Sequence, residues 1–344
     1  MPEIILPGTY ITVRDEALIS AGRVISGNIG VVGTAGQGPE DEVKIIGSFS
    51  EAREIYGEDA ADLTLIKALE QIYNNGGRTV YAVRAGGDTA DDYQTALAKL
   101  ENEIVNIVLL AGQDVSNAEM VTNLVGHLNT TAQIKRERIG IIGSNGSDDV
   151  DEISGHTLNH ERLIFVAPGI QVTPGEQLSG AYTAAAVAGL IASLPVQASP
   201  TNKTLAIPGL STAFSASQLE KLVTNRVLAV ERREGFRVVK GITTSTNSAW
   251  HQITTRRIVD FAIYGVRSAC NPYIGKLNND RVRGAMKATL DAFLTRMVDS
   301  EALVSYELEV SATRAQEIAG EAIVTMTIRP TFSIDFIVVT MFLG

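Results

Sequence analysis

Short, mostly apolar runs recur along the first part of the chain with helix-forming segments between them, and this pattern constrains the fold more than any other feature. The runs lie at residues 29–35, 42–47, 78–84, 104–111, 138–143 and 162–167. They do not alternate apolar with polar, so they suit strands buried on both faces, as in a parallel sheet covered by helices. Helical segments are expected at 51–56, at 62–73 (closed by Asn74, Asn75, Gly76 and Gly77), near 91–100, and from the capping box Ser116-Asn117-Ala118-Glu119 to about His127. The first half therefore reads as α/β.

The order of signals then changes. Residues 176–193 read as a buried Ala/Gly helix, and the turn-rich stretch 194–209 holds Pro195, Pro200 and Pro208, which places a domain boundary there. Beyond it come a helix near 217–226 and a hairpin, 227–233 with 236–243, turning on Glu234-Gly235. Helices at 254–270 and 278–298 follow, the second with Val282, Met286, Leu290, Phe293 and Met297 on one stripe. Late strands are expected at 303–310 and 321–329. The division expected is 1–28, an N-terminal arm and linker; 29–205, an α/β domain; 206–329, an α+β domain; and 330–344, a C-terminal arm. Both ends read as extended and apolar, at 6–13 behind Pro7-Gly8 and at 331–343. Soluble monomers normally avoid unpaired apolar strands at free termini, so each end pairs either inside its own subunit or with another chain.

Charge and composition exclude several function classes. Lys and Arg number 29 against 39 Asp and Glu, a formal charge of −10, and with four His and no long basic run nothing suits a polyanion or an anionic membrane surface. The nearly apolar stretch 181–195 is short of the roughly 20 residues a spanning helix needs, and the N-terminus lacks a basic region followed by an apolar run. The single cysteine, Cys270, has no internal partner, which fits a cytoplasmic origin.

Nothing in the sequence forms a catalytic set. Gly27, Gly30 and Gly33, followed by Thr34-Ala35-Gly36-Gln37-Gly38, suggest a phosphate cradle, but Pro39-Glu40 stands where a Walker loop needs Lys and Ser or Thr. A strand, not the helix of a dinucleotide loop, is expected next. His156 and His160 are a helical turn apart, yet Thr157 replaces the glutamate of a metalloprotease motif, and a polar, solvated helix face is the simpler reading. Ser179-Gly180 has no neighbouring base and Cys270 closes an apolar helix. The mixed clusters Lys135-Arg136-Glu137-Arg138 and Glu231-Arg232-Arg233-Glu234 read as exposed faces or subunit contacts. The chain is expected to hold no cofactor and no metal.

Several blocks, in order, resemble the tail sheath proteins of contractile phage tails and related injection systems. Pro7-Gly8-Thr9-Tyr10-Ile11 is similar to that family's opening, and Gly30-Val31-Val32-Gly33-Thr34-Ala35 with Gly38-Pro39 to its next block. Gly76-Gly77-Arg78-Thr79-Val80-Tyr81-Ala82-Val83-Arg84 resembles a family strand. Ala167-Pro168 with Ser179-Gly180-Ala181-Tyr182-Thr183-Ala184-Ala185 resembles a strand end and helix, and Ile328-Arg329-Pro330-Thr331 through Asp335-Phe336-Ile337 the closing strand. Val239-Lys240-Gly241-Ile242-Thr243 departs from the family's tryptophan-containing motif after the hairpin.

The resemblance implies a subtilisin-like layout without a triad in the first domain, and a non-enzymatic, mechanical subunit. It implies hexameric rings stacked around an inner tube, bound to baseplate and tail terminator proteins, assembled in a bacterial cytoplasm and contracting on energy stored at assembly. It also implies strand arms passed between subunits, through Leu6, Thr9, Tyr10, Ile11 and Val13 at one end and Ile334, Phe336, Val338 and Phe342 at the other. Lys276, Arg281, Arg283 and Lys287 are then expected to face the tube. The competing reading is an α/β nucleotide- or metabolite-binding enzyme using the glycines around Gly33.

Overall fold

A computed structural model describes residues 26–147 and 149–342. The expected N-terminal arm residues Leu6, Thr9, Tyr10, Ile11 and Val13 lie outside the described residues. In chain order the elements are β1 (Ile29–Gly33), β2 (Val43–Ile46), α1 (Phe49–Tyr56), α2 (Leu65–Asn74), β3 (Val80–Arg84), α3 (Ala90–Lys99), β4 (Ile107–Asp114) and α4 (Ala118–Gln133). They continue with β5 (Ile139–Gly143), α5 (Val150–Ser154), β6 (Leu163–Ala167), β7 (Ile170–Thr173), β8 (Glu176–Leu178), α6 (Gly180–Ser193) and β9 (Thr204–Leu205). The last are α7 (Ala216–Thr224), β10 (Leu228–Arg232), β11 (Phe236–Val238), α8 (Ile253–Cys270), α9 (Asp280–Asp299), β12 (Leu303–Ser311), α10 (Arg314–Ala319) and β13 (Ile323–Pro330).

Five of the runs become the centre of a nine-stranded sheet ordered β2-β3-β1-β4-β5-β6-β10-β11-β9, whereas 42–47, which carries Glu42 and Lys44, forms the antiparallel edge strand β2 rather than one buried on both faces. From β3 to β10 every pairing is parallel, while β2, β11 and β9 add antiparallel edges. Both faces are covered, as the lack of alternation requires. One holds Val31, Leu109, Ile141 and Val166 under α1, α2 and α6; the other holds Val32, Val108, Ile142 and Phe165 under α3, α4, α5 and α7. Helix α6 is almost entirely buried, and its small residues permit that. A Cβ on Gly143, at the end of β5, would lie 1.9 Å from the Gly180 carbonyl carbon, so strand end and helix start meet backbone to backbone. The helix begins at Gly180 behind its Ser179 cap rather than at residue 176, because Glu176–Leu178 pairs with Ile170–Thr173 as a hairpin.

The chain divides into two compact units, one comprising 26–261 with 330–342 and the other Ala262–Arg329. The expected boundary at 205/206 is thus displaced. The hairpin of β10 and β11 turns on Glu234 (φ 50°) and Gly235 (φ 104°) as its sequence requires, but β10 pairs parallel with β6 and extends the large sheet. A proline-rich turn marks a change of direction, and strand pairing across it decides domain membership. In the smaller unit, Met286 and Leu290 of α9 and Ala269 of α8 form a core with Leu308 and Val310 of β12 and Val324 of β13. Gly265 admits the Phe293 ring, which an added Cβ would meet at 1.9 Å.

Candidate assembly interface

Among the described residues no intrachain ladder forms along 331–342, the strand expected to close the chain. Its first part nevertheless has a defined geometry. Side chains alternate from 331 to 336, with Ser333 and Asp335 half-buried and Phe332, Ile334 and Phe336 exposed. The inward pair is held by Gln252, just before α8. Its Oε1 accepts from the Ser333 N–H at 3.0 Å, and its Nε2 donates to the Ser333 carbonyl at 3.3 Å and to Asp335 Oδ2 at 3.0 Å. Lys240 Nζ lies 3.5 Å from the same carboxylate and 5.0 Å from the centre of the Phe336 ring. From Ile337 on the inward anchor ends, and Ile337, Val338, Val339, Met341 and Phe342 are 76–91% exposed. This uncharged, β-prone, proline-free run is the type of segment that pairs with other chains.

Among the described residues of the smaller unit, β12 and β13 form a two-stranded sheet. Its inner side chains, Tyr306, Leu308 and Val310 on β12 and Val324, Met326 and Ile328 on β13, are half-buried rather than buried. Two strands are fewer than an independently stable sheet needs, and a long, half-covered pair is a template for further strands.

Of the four cations expected to face a tube, Lys276, Arg281 and Lys287 are exposed. Arg283 is not available and corrects that expectation. It is 8% exposed, pairs with Asp280 and with Glu317 Oε1 at 3.0 Å, and donates to Asn278 Oδ1 at 2.7 Å. The bonds to Asp280 and Glu317 hold its guanidinium in the charged form, while Arg314 and Arg283 draw the Glu317 carboxyl below its ordinary range. Helical spacing put Arg283 near the exposed cations, and the packing of α10 against it decided otherwise.

The glycine segment proves to be a packing device. The crevice at the carboxyl ends of β1 and β4, where the parallel strand order reverses and α/β folds often bind ligands, is occupied by side chains. The Thr64 hydroxyl lies 3.3 Å from the Tyr93 hydroxyl, which donates to the Ala111 carbonyl at 3.1 Å. A Cβ on Gly33 would come 2.8 Å from Thr64 Oγ1, and one on Gly112 2.4 Å from Thr64 Cγ2. The Thr64 and Leu65 amides at the start of α2 both donate to the Thr34 carbonyl. A phosphate would have to displace these bonds to use that helix end.

His156 and His160 do not share a helix, since residues 155–160 follow the end of α5. His156 Nδ1 accepts from the Leu158 amide with Nε2 2.7 Å from the Asn225 carbonyl, and His160 Nδ1 accepts from the Arg162 amide with Nε2 3.0 Å from Asn129 Oδ1. Burial lowers both pKa values. Among the described residues no group of three His, Cys, Asp or Glu side chains is placed to hold a metal. Cys270 is half-buried, and burial raises its pKa.

The cluster 135–138 is not wholly an exposed face. Arg138 is 1% exposed and donates to the carbonyls of Leu100, Glu101, Glu103 and Arg136, with Nη1 3.0 Å from His127 Nε2. On α8, Arg256 bridges Glu161 and Asp260, Asp260 also pairs with Arg162, and Arg257 donates to the carbonyls of Ser26, Leu194 and Pro195. The roles of Gln252 and Lys240 had no sequence signal: a lone Gln before a helix and a Lys after a hairpin are ordinary.

Comparison with known proteins identifies the family and the fold. Residues 86–244 match the model of the phage tail sheath protein central domain, and residues 245–344 that of the phage tail sheath C-terminal domain. No curated protein matches the chain. Among solved structures, the sheath complex of the extracellular contractile injection system PVC in its contracted state superposes with a TM-score of 0.79 at 16% identity, covering 99% of this chain and 98% of that one. The contracted helical sheath of the anti-feeding prophage gives 0.76 at 18%, covering 98% and 99%. The sheath tail protein from Listeria innocua gives 0.71 at 13%, covering 91% and 94%.

Proposed function

The chain belongs to the phage tail sheath family, and from that premise we propose that it is a contractile tail sheath subunit whose copies are linked by exchanged strands. Subunits form hexameric rings stacked around an inner tube, attach to a baseplate and a terminator, and assemble in a bacterial cytoplasm. The α/β unit, the counterpart of the family's subtilisin-like domain, is scaffold and not catalyst. Contraction draws on free energy stored during assembly and consumes no fuel, because many weak body-to-body contacts re-formed in a shorter arrangement add over a long polymer.

The observation that carries this reading is the apolar run 337–342, exposed in a chain whose smaller unit has, among the described residues, a two-stranded sheet with a half-covered inner face. Ile334, Phe336, Val338 and Phe342 belong to the C-terminal arm, and Leu6, Thr9, Tyr10, Ile11 and Val13 to the N-terminal one. Main-chain pairing with a second copy supplies affinity, and alternate side chains fix register. Lys276, Arg281 and Lys287 face acidic groups on the tube, through exposed pairs worth about 0–1 kcal/mol each that break readily on firing. Deleting residues 1–15, or 337–344, is expected to leave folded, soluble subunits that form no tubes in electron micrographs. Normal tubes from both truncated chains would refute strand exchange.

A further inference from the structure

The C-terminal run has two parts with different physics, and their border falls at Phe336/Ile337. Before the border, the Gln252 amide both accepts from the Ser333 N–H and donates to the Ser333 carbonyl, so one side chain takes the place of a peptide group in a neighbouring strand. The backbone of Gln252 is itself tied to Ile242 through an antiparallel bridge, so the amide projects from a fixed point. Asp335 is fastened by the same amide and by Lys240, with only 11% of its side chain exposed. After the border, no hydrogen bond among the described residues reaches 337–342.

We propose that Gln252, with Lys240 and Asp335, is a clamp that fixes the direction in which the C-terminal strand leaves its subunit, making Gln252 a positioning residue for assembly onto a second copy of this chain. The proposal rests on the strand-exchange reading. A strand leaving from a fixed root loses conformational freedom over 337–342 rather than over 331–342 when it is captured. A fixed root also confines the tip to a smaller volume, which raises its effective concentration at the neighbour's open sheet. Clamping residues 333 and 335 directs Phe332, Ile334 and Phe336 outward on one face, so the register is set before the partner arrives.

The test uses the full-length chain with Gln252→Ala, Gln252→Glu and the double variant Gln252→Glu/Asp335→Asn, beside deletion of 337–344. Three quantities are measured: exchange of the Ser333 amide hydrogen in unassembled subunits, the critical concentration for tube formation, and subunit Tm. In the unaltered chain, the Ser333 amide exchanges slowly and the 337–342 amides fast. Gln252→Ala is expected to remove the Ser333 protection and raise the critical concentration about tenfold or more, with Tm unchanged. Gln252→Glu sets two carboxylates together and weakens assembly at least as much. Asp335→Asn in that background supplies an amide donor to the new carboxylate and restores assembly, which simple loss of packing would not. If assembly needs 337–344 yet Gln252→Ala leaves the critical concentration unchanged, the clamp is refuted and strand exchange stands. If deleting 337–344 has no effect on assembly, the exchange reading fails and takes the clamp with it.

Discussion

Acid is expected to destabilise this fold through one identifiable side chain. His127 lies on the inner face of α4, 5% exposed, with Nε2 3.0 Å from Nη1 of the buried Arg138. Arginine has no acceptor, so Nε2 must accept and the imidazole must be neutral. Burial first, and the Arg138 charge second, bring its pKa down from 6.5 to about 3. The unfolded chain takes up this proton near pH 6.5 and the folded chain only near pH 3. Between those values the unfolded state holds more protons, so stability is complete above pH 6.5 and falls as pH drops, by about 1.4 kcal/mol per unit and on the order of 3–5 kcal/mol across the window. Burial shifts His156, His160 and His251 in the same direction.

His127→Gln keeps an oxygen acceptor for Arg138 and removes the proton site. The variant is expected to be less stable by about 1 kcal/mol at pH 7.5. It is expected to lose stability more slowly than the unaltered chain on acidification, with the two curves converging by pH 5–6 and crossing below. The assay is urea unfolding of both proteins from pH 7.5 to 4, in the background truncated at residue 336 to suppress association. Carboxylates titrate alike in both and cancel in the difference. Parallel stability curves would show that His127 is not held neutral and refute the reasoning.

Two further outcomes follow from close packing and from charge. Gly143→Ala drives a methyl into the Gly180–Ala181 backbone, where neither chain has a rotamer to yield, and is expected to cost about 3 kcal/mol or more in chemical denaturation; a smaller loss would mean that α6 moves freely from β5. Arg281→Glu with Lys287→Glu is expected to impair loading of sheath onto tube without changing subunit Tm, whereas Arg283→Gln is expected to lower Tm by a few degrees by freeing Asn278 and Glu317; the reverse assignment would restore Arg283 to the tube-facing set.

The sequence by itself determined the central sheet, because a strand buried on both faces must be apolar at every position and 29–33, 107–111, 139–143 and 163–167 leave no other arrangement. It also determined the Glu234-Gly235 hairpin, through two consecutive left-handed positions, whereas the start of α6 at Gly180 was set by the pairing of Glu176–Leu178 with Ile170–Thr173. Family membership was legible in short blocks whose order mattered more than their content. What only tertiary structure decided are the choices that depend on a neighbour distant in sequence. Arg138 turns inward from a charged tetrad because the turn at residues 100–103 presents carbonyls, and Arg283 turns to Glu317 because α10 lies against it. The β10–β11 hairpin joins the large sheet because the β6 edge is open to it, and Gln252 grips Ser333 across the span from α8 to the chain end. Local pattern fixes what a segment can become, since propensity and burial periodicity act over a few residues. Which partner satisfies a buried charge, a strand edge or a lone amide is set by chain path, which no local pattern encodes.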